Sequence, residues 1–299
     1  MTVQRLPDWV TNRAGTSEAT HQVKRILRAK GLHTVCESAL CPNQGECFAR
    51  ETATFMILGD HCTRDCAFCA VGHERPGTLD AEEPMKIAAA VRELHLKHVV
   101  ITSVTRDDLS DGGSLHFSET VRVVKSEVPG VTVEILTPDF GGDREAIRVA
   151  AVSGADIYNH NVETVPRLYP EVRSRADYRR SLDLLFYVKW CATELPTKSG
   201  FMLGFGEQPD EVISVMRDLR DVGCEILTIG QYLRPRKKNV PVVEYVPQER
   251  FAEYERIGYE LGFQVVMSGP LVRSSFHADE AMTVLGKTPQ LFNKGQHTE

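Results

Sequence analysis

A chain of 299 residues that is 42% hydrophobic and 25% charged has the make-up of an ordinary soluble globular protein, long enough to bury a sizeable core in one domain. Its net charge of -6 supplies no broad basic face for nucleic acid, and no apolar run reaches the roughly 18 residues of a membrane span. Residues 1–10 carry no basic-then-apolar leader, so a cytoplasmic location is expected, where eight cysteines are better read as metal ligands or catalytic groups than as disulfides.

Residues 1–34 are polar, with a helix expected over 18–30, Thr16 or Ser17 as its cap and Gly31 as its stop. This arm leads into Cys36, Cys41 and Cys47. From Thr52 onward, β-rich apolar runs alternate with helical patterns. Strands are expected at 53–59, 98–104, 132–137, 156–162, 200–206 and 225–231, with another at 264–268. The helical stretches are 84–95, 114–127, 144–153, 177–191, 210–222 and 247–261; in the first, Ile87, Val91 and Leu94 recur at helical spacing. Strict alternation with right-handed crossovers gives a parallel sheet rolled into a whole or partial barrel, and six units fit best. The expected fold is therefore α/β, a partial (β/α)6 TIM-like barrel over 52–262 between an N-terminal extension, 1–51, and a C-terminal one, 263–299.

Barrels of this kind keep their chemistry in the loops that follow the strands. After the first strand comes Cys62-Thr63-Arg64-Asp65-Cys66-Ala67-Phe68-Cys69; after the second, Thr105-Arg106-Asp107-Asp108 and then Asp111-Gly112-Gly113. The fourth carries Asn159-His160-Asn161 and Glu163, the fifth is introduced by Lys198-Ser199, and the sixth ends Gln231-Tyr232-Leu233-Arg234-Pro235. A structural zinc site wants four closed ligands, and each cysteine trio is one short. Three thiolates on Cys62, Cys66 and Cys69 suit a cubane [4Fe-4S] cluster whose fourth iron stays open to bind a substrate, with zinc as the alternative.

The Cys-x3-Cys-x2-Cys loop after a first barrel strand, with Phe68 just before the last cysteine, resembles the radical S-adenosylmethionine (SAM) superfamily. There the open iron chelates SAM, and an electron from the cluster splits its C-S bond to give a 5'-deoxyadenosyl radical. Within the superfamily, Cys36-x4-Cys41-x5-Cys47, Asn159-His160-Asn161-Val162-Glu163-Thr164 and Val272-Arg273-Ser274-Ser275-Phe276-His277-Ala278 together resemble the lipoyl synthase family, over residues 5–279. Where that family usually has tyrosine after the paired serines, this chain has Phe276.

The resemblance implies two [4Fe-4S] clusters. The second is held by Cys36, Cys41 and Cys47 with the Ser274 hydroxyl oxygen as fourth ligand, and is consumed as the sulfur source. A serine alkoxide is a hard ligand among soft ones and is lost more readily by protonation than a thiolate. Ser275 is the alternative. The implied reaction inserts sulfur at C6 and C8 of an octanoyl chain on a lysine of a lipoyl carrier domain, 2-oxoacid dehydrogenase E2 or glycine cleavage H protein. It also implies an electron donor such as ferredoxin or flavodoxin, and an iron-sulfur carrier for cluster repair. Phe68, Thr102, Asp111, Gly112, Gly113, Asn161, Glu163, Lys198 and Arg234 become candidates for SAM or substrate contacts. A biotin-synthase-like enzyme, a methylthiotransferase and an iron-sulfur carrier are the alternatives. Cys191 and Cys224 read as free thiols, His160 as a hydrogen-bonded core histidine, and Arg236-Lys237-Lys238 as a solvated face.

Overall fold

The computed structural model describes residues 18–38, 41, 43–49, 52–275 and 278–286; the expected caps Thr16 and Ser17, and Phe276, lie outside them. In chain order the elements are α1 (Glu18–Ala29), β1 (His33–Thr34), α2 (Val35–Ser38), α3 (Gln44–Ala49), β2 (Thr52–Ile57), α4 (Glu83–Glu93), β3 (His98–Ser103), α5 (Ser114–Glu127), β4 (Thr132–Leu136) and α6 (Arg144–Ala151). There follow β5 (Ile157–Asn159), α7 (Tyr169–Val172), α8 (Tyr178–Cys191), β6 (Thr197–Leu203), α9 (Pro209–Asp221), β7 (Ile226–Gln231), α10 (Gln248–Glu260), β8 (Val265–Gly269) and α11 (Ala278–Val284).

The strands form one sheet in the order β1 to β8. The two-residue β1 runs antiparallel to β2, and every pairing from β2 to β8 is parallel. The first and last strands do not pair with each other, so the barrel is partial: six strand-helix units closed by a seventh parallel strand. Both faces of such a sheet are covered, which is why β2 is buried at all six positions and reads as an unbroken run. Helix starts follow from side-chain caps: Asp143 accepts from the N-H groups of Glu145 and Ala146, and Asp177 from that of Arg180. The expected N-terminal arm is part of the same core, into which α1 buries Val23, Ile26 and Leu27.

Several features depart from the expected elements, and β5 spans only Ile157–Asn159 where 156–162 is expected. Strand β6 begins at Thr197, so Lys198 and Ser199 lie inside the strand and do not introduce it. All of Thr197, Lys198 and Ser199 are fully buried. A polar triplet at the start of a buried strand contradicts local propensity, and Lys198 is tolerated because its ammonium meets Glu134 of β4 at 2.9 Å. At the opposite end of the barrel from the cysteine loop, α11 packs Ala281 and Met282 against Ile157, Ile226 and Val265, at or next to the starts of β5, β7 and β8.

Candidate active site

The cysteine loop leaves β2 through a tight turn in which Leu58 has a φ of 68° and Gly59 one of 95°. A leucine in the left-handed region is strained. It is held there by two charged side chains: the Glu83 carboxylate accepts from the Leu58 N-H at 3.0 Å, and Arg106 donates to its carbonyl at 3.1 Å. Within the loop, Arg64 acts as a staple. Its guanidinium donates to Asp107, after β3, at 2.9 and 2.7 Å, and to Asp139, after β4, at 3.0 and 2.7 Å. Arg64 is 7% exposed and Asp139 1%, so this bidentate bridge is deep. The Cys62 sulfur accepts from the N-H groups of Arg64 and Thr105 at 3.4 and 3.3 Å, and Asn239 donates to the carbonyls of Ala67 and Cys69 at 3.0 and 2.7 Å. Three thiols are thereby fixed by contacts from several different loops.

Burial pushes the Cys69 thiol up to about 12, and raises Cys66 as well, although the Arg173 guanidinium works against burial there. In the upstream trio burial, with Cys41 and Cys47 nearby, takes Cys36 up to about 12. These thiols are proton-bound at neutral pH until a metal displaces the protons, so loading the site releases acid. Cys62, Cys66, Cys69, Cys41 and Cys47 are all partly exposed, reachable as ligands. Among the described residues no group of three His, Cys, Asp or Glu is placed to hold a single metal ion. Each trio offers three thiolates, one short of a closed zinc site and the number that a cube with one open iron takes. The donor set fits iron-sulfur clusters.

Between the two trios lies a cavity of about 430 Å³, lined by Cys36, Cys41, Phe68, Cys69, Asn161, Glu163, Arg234, Arg273, Ser274 and Ser275 among others. The structure therefore brings Cys69 of one trio, Cys36 and Cys41 of the other and the terminal serine pair to one space. Two hydrogen bonds make this possible across the length of the chain. Asn43 donates to the Leu271 carbonyl at 2.7 Å, tying the first trio to the tail, and Asn161 donates to the Ser274 hydroxyl at 2.6 Å. Asn161 also donates to Glu163 at 3.1 Å, while its own Oδ1 is buried without a partner. A side chain at Gly200 would collide with Thr228, and one at Gly230 with the Val272 carbonyl, so the close approach of strands and tail requires glycine at both. Burial raises the Glu163 carboxyl, with Arg173 opposing it.

Other expected site residues are placed away from this cavity. Cys62, Cys66 and Cys47 do not line it. Thr102 donates its hydroxyl to the Leu136 carbonyl at 2.8 Å, within the sheet. Asp111 caps α5, accepting from the N-H groups of Gly113 and Leu115 at 3.0 Å each. Gly112 and Gly113 have φ of 59° and 90°, and a side chain on Gly113 would run into Leu58. Lys198 does meet a carboxylate, but it is Glu134 in the sealed interior, where neither a ligand carboxylate nor a carrier protein reaches. Arg234, unlike these, does line the cavity; it is exposed and donates to the carbonyls of Asn239, at 2.8 Å, and Lys237.

Arg173, which local sequence does not mark, is a functional candidate by position: its guanidinium donates to the Asn161 carbonyl at 3.0 Å, it stands beside Cys66 and Glu163, and its Nε is unpartnered. His160 is satisfied on both ring nitrogens, by the Thr137 carbonyl at 2.9 Å and the Ser181 hydroxyl at 3.0 Å. Cys191 and Cys224 are free thiols, and Arg236, Lys237 and Lys238 are exposed. Among the described residues no helix is long and apolar enough to cross a membrane.

The fold is shared with methylornithine synthase, at a TM-score of 0.56 and 14% identity over 94% of this chain and 92% of that one. It is shared too with Streptococcus suis SuiB, at 0.58 and 11% over 83% and 52%. Residues 56–219, which hold the cysteine loop and most of the barrel, match the model of the radical SAM superfamily. The chain belongs to that superfamily, a class whose barrel mouth carries the three-cysteine loop found here.

Within it, the chain is 56% identical to a lipoyl synthase of Caldanaerobacter subterraneus subsp. tengcongensis over 95% of its own length and 99% of that protein's. It is 53% identical to lipoyl synthases of Methylococcus capsulatus, over 95% and 88%, and Rubrobacter xylanophilus, over 92% and 85%. It is a member of the lipoyl synthase family, a family of radical SAM sulfurtransferases.

Proposed function

We propose that this chain converts a protein-bound octanoyl-lysine to a lipoyl group by inserting sulfur at C6 and C8. Cys62, Cys66 and Cys69 would hold the cluster that binds SAM; when bound, it supplies the one-electron reduction that cleaves SAM and hence the power to take hydrogen from an unactivated C-H. Cys36, Cys41 and Cys47 with Ser274 would hold a second cluster, which is the sulfur substrate. The single observation that carries this reading is the common cavity, because a carbon activated at one trio must reach sulfur held at the other without meeting water or protein.

The chain's own residues have definite tasks here. Arg64, Asp107 and Asp139 hold the first loop in place, and Asn239 clamps its far end. Asn161 positions the Ser274 hydroxyl, and its spare Oδ1, with Glu163, offers acceptors to a bound polar group such as the SAM ribose or amino group. Arg173 places a buried positive charge beside Cys66. Phe68 supplies an apolar wall, and Arg234 a cation at the rim. For Thr102, Asp111, Gly112, Gly113 and Lys198 the observed hydrogen bonds and turns support a scaffolding task. In this scheme residues 1–51 present the sulfur source, 52–262 form the radical barrel, and 263–299 return Ser274 to it.

The octanoylated carrier would be an E2 domain or an H protein, the electron donor ferredoxin or flavodoxin, and an iron-sulfur carrier would rebuild the consumed cluster in the cytoplasm. Incubation of the anaerobically reconstituted protein with an octanoyl-lysine peptide, SAM and a strong reductant, followed by mass analysis, tests the reading. Products carrying one and then two sulfurs support it. Methylthiolated product, or no sulfur transfer from a chain holding about eight irons, would favour a different radical enzyme or a carrier.

A further inference from the structure

Strand β7 ends at Gln231, and the chain continues as a loop, residues 232–240, at the rim of the cavity. Tyr232, Leu233, Arg234 and Pro235 line the cavity, and the next three residues, Arg236, Lys237 and Lys238, are exposed. A run of surface cations is ordinarily no more than solvated. This one differs in how its backbone is held and in what its charges meet.

The loop is fixed from both sides. Asn239 donates to the carbonyls of Ala67 and Cys69 at 3.0 and 2.7 Å, the Val240 N-H donates to the Ala67 carbonyl at 3.1 Å, and the Tyr232 hydroxyl donates to the Val240 carbonyl at 2.8 Å. From within the loop Arg234 donates to the carbonyls of Asn239 and Lys237. A surface held in this way has little backbone freedom left to lose when something binds it. Its charges are also unspent: among the described residues none of Arg236, Lys237 and Lys238 has a carboxylate at ion-pair distance, whereas the exposed Arg92, Arg148 and Arg167 each have one. The chain as a whole carries -6, so this positive field is local, and it stands beside the cavity that both cysteine trios reach.

We propose that Arg236, Lys237 and Lys238 are the docking surface for the octanoylated carrier domain, which meets them with an acidic face next to its acylated lysine. This rests on the reading that a protein-bound octanoyl-lysine is the substrate. The acyl chain hangs from the domain by one lysine side chain, so it reaches the cavity only when the domain itself comes to rest against the rim. The charge of the rim then selects which face the domain turns toward it. Nucleic acid and anionic lipid are also drawn to cations, but neither brings an acyl-lysine to this opening.

The test measures sulfur insertion by reconstituted holoenzyme with SAM and a small chemical reductant on two substrates: a short octanoyl-lysine peptide with neutral flanks, and an octanoylated carrier domain of net negative charge. In Arg236→Gln/Lys237→Gln/Lys238→Gln, kcat/KM for the carrier is expected to fall about tenfold at low salt, through KM with kcat kept, while the peptide's changes by less than about twofold. In the unmodified enzyme the carrier's kcat/KM should fall several-fold as salt is raised to about 0.5 M, and the peptide's should hold, an arm that needs no variant to fold. Equal losses on both substrates would place the loop in the chemistry and overturn docking, as would carrier turnover indifferent to both salt and the triple variant. A defect confined to a protein reductant used in place of the chemical one, or to binding of anionic vesicles or RNA, gives the patch to another partner and overturns it as well. Conversion of neither substrate refutes instead the function on which the docking surface rests.

Discussion

Removing the Asp139 carboxylate tests how the radical loop is held. In Asp139→Ala, Arg64 keeps its bonds to Asp107 but loses two at 3.0 and 2.7 Å in a region where it is 7% exposed. Leaving one partner of a buried ion pair uncompensated costs about 3–5 kcal/mol, and the surviving Asp107 contacts point to the lower end, ~3 kcal/mol. Asp107 is 38% exposed, so solvent screens its half of the bridge and Asp107→Ala should cost about 1 kcal/mol or less. Denaturant unfolding of the two apo variants reads the difference, and iron content after reconstitution should fall further in Asp139→Ala. The pH dependence gives a second handle. Burial alone would raise the Asp139 carboxyl, but the hydrogen bonds and charge of Arg64 outweigh it and hold the group well below the usual carboxylate range. Its contribution is therefore present above the unfolded-state value near 4 and is lost as pH falls below it. Equal losses in the two variants, or a stability profile in acid unchanged by Asp139→Ala, would refute the staple.

His160 supplies a pH effect in a higher window. Burial lowers it to about 4, so the unfolded chain binds an extra proton between that value and about 6.5, and about 3 kcal/mol should be lost as pH falls across this range; His160→Gln should flatten this part of the unfolding profile. Cys41→Ala should still cleave SAM, followed as 5'-deoxyadenosine, while forming no lipoyl product; Cys62→Ala should abolish both. Gly113→Ala places a side chain against Leu58 at a φ of 90° and should lower stability by about 1–3 kcal/mol in thermal melts. Ser274→Ala should impair sulfur insertion and leave SAM cleavage intact; if only Ser275→Ala does so, the ligand is the neighbouring serine.

Most of the barrel was legible because its signals are local. The helix expected at 114–127 occurs with those bounds as α5, and the others lie within two residues, since apolar spacing and Asp caps are written into a dozen neighbouring positions. Strand β6 was read three residues late because the partner that permits Lys198 to be buried, Glu134, is 64 positions away. The same distance effect misplaced Lys198 at the mouth. Asp111 and the two glycines carried the sequence signature of a turn, and whether that turn meets a ligand or caps a helix depends on which N-H groups the carboxylate faces. Arg173 had no local mark at all, because its significance lies in proximity to Cys66 and Glu163. The cysteine trios were visible as spacing, but the meeting of Cys36, Cys41 and Cys69 with Ser274 at one cavity depends on Asn43, which no motif marks, and on Asn161, which the sequence offered as a ligand contact and not as a tie to the tail.

The bond from Asn43 to the Leu271 carbonyl spans 228 positions. Such a closure is entropically costly until the barrel between its ends has folded. A nascent chain emerging from the ribosome thus exposes three cysteines early and withholds the tail segment that joins them until almost everything else has been made. Assembly of this cavity is in this sense timed by translation: a prematurely ended chain has the thiols but lacks the last wall that closes over them.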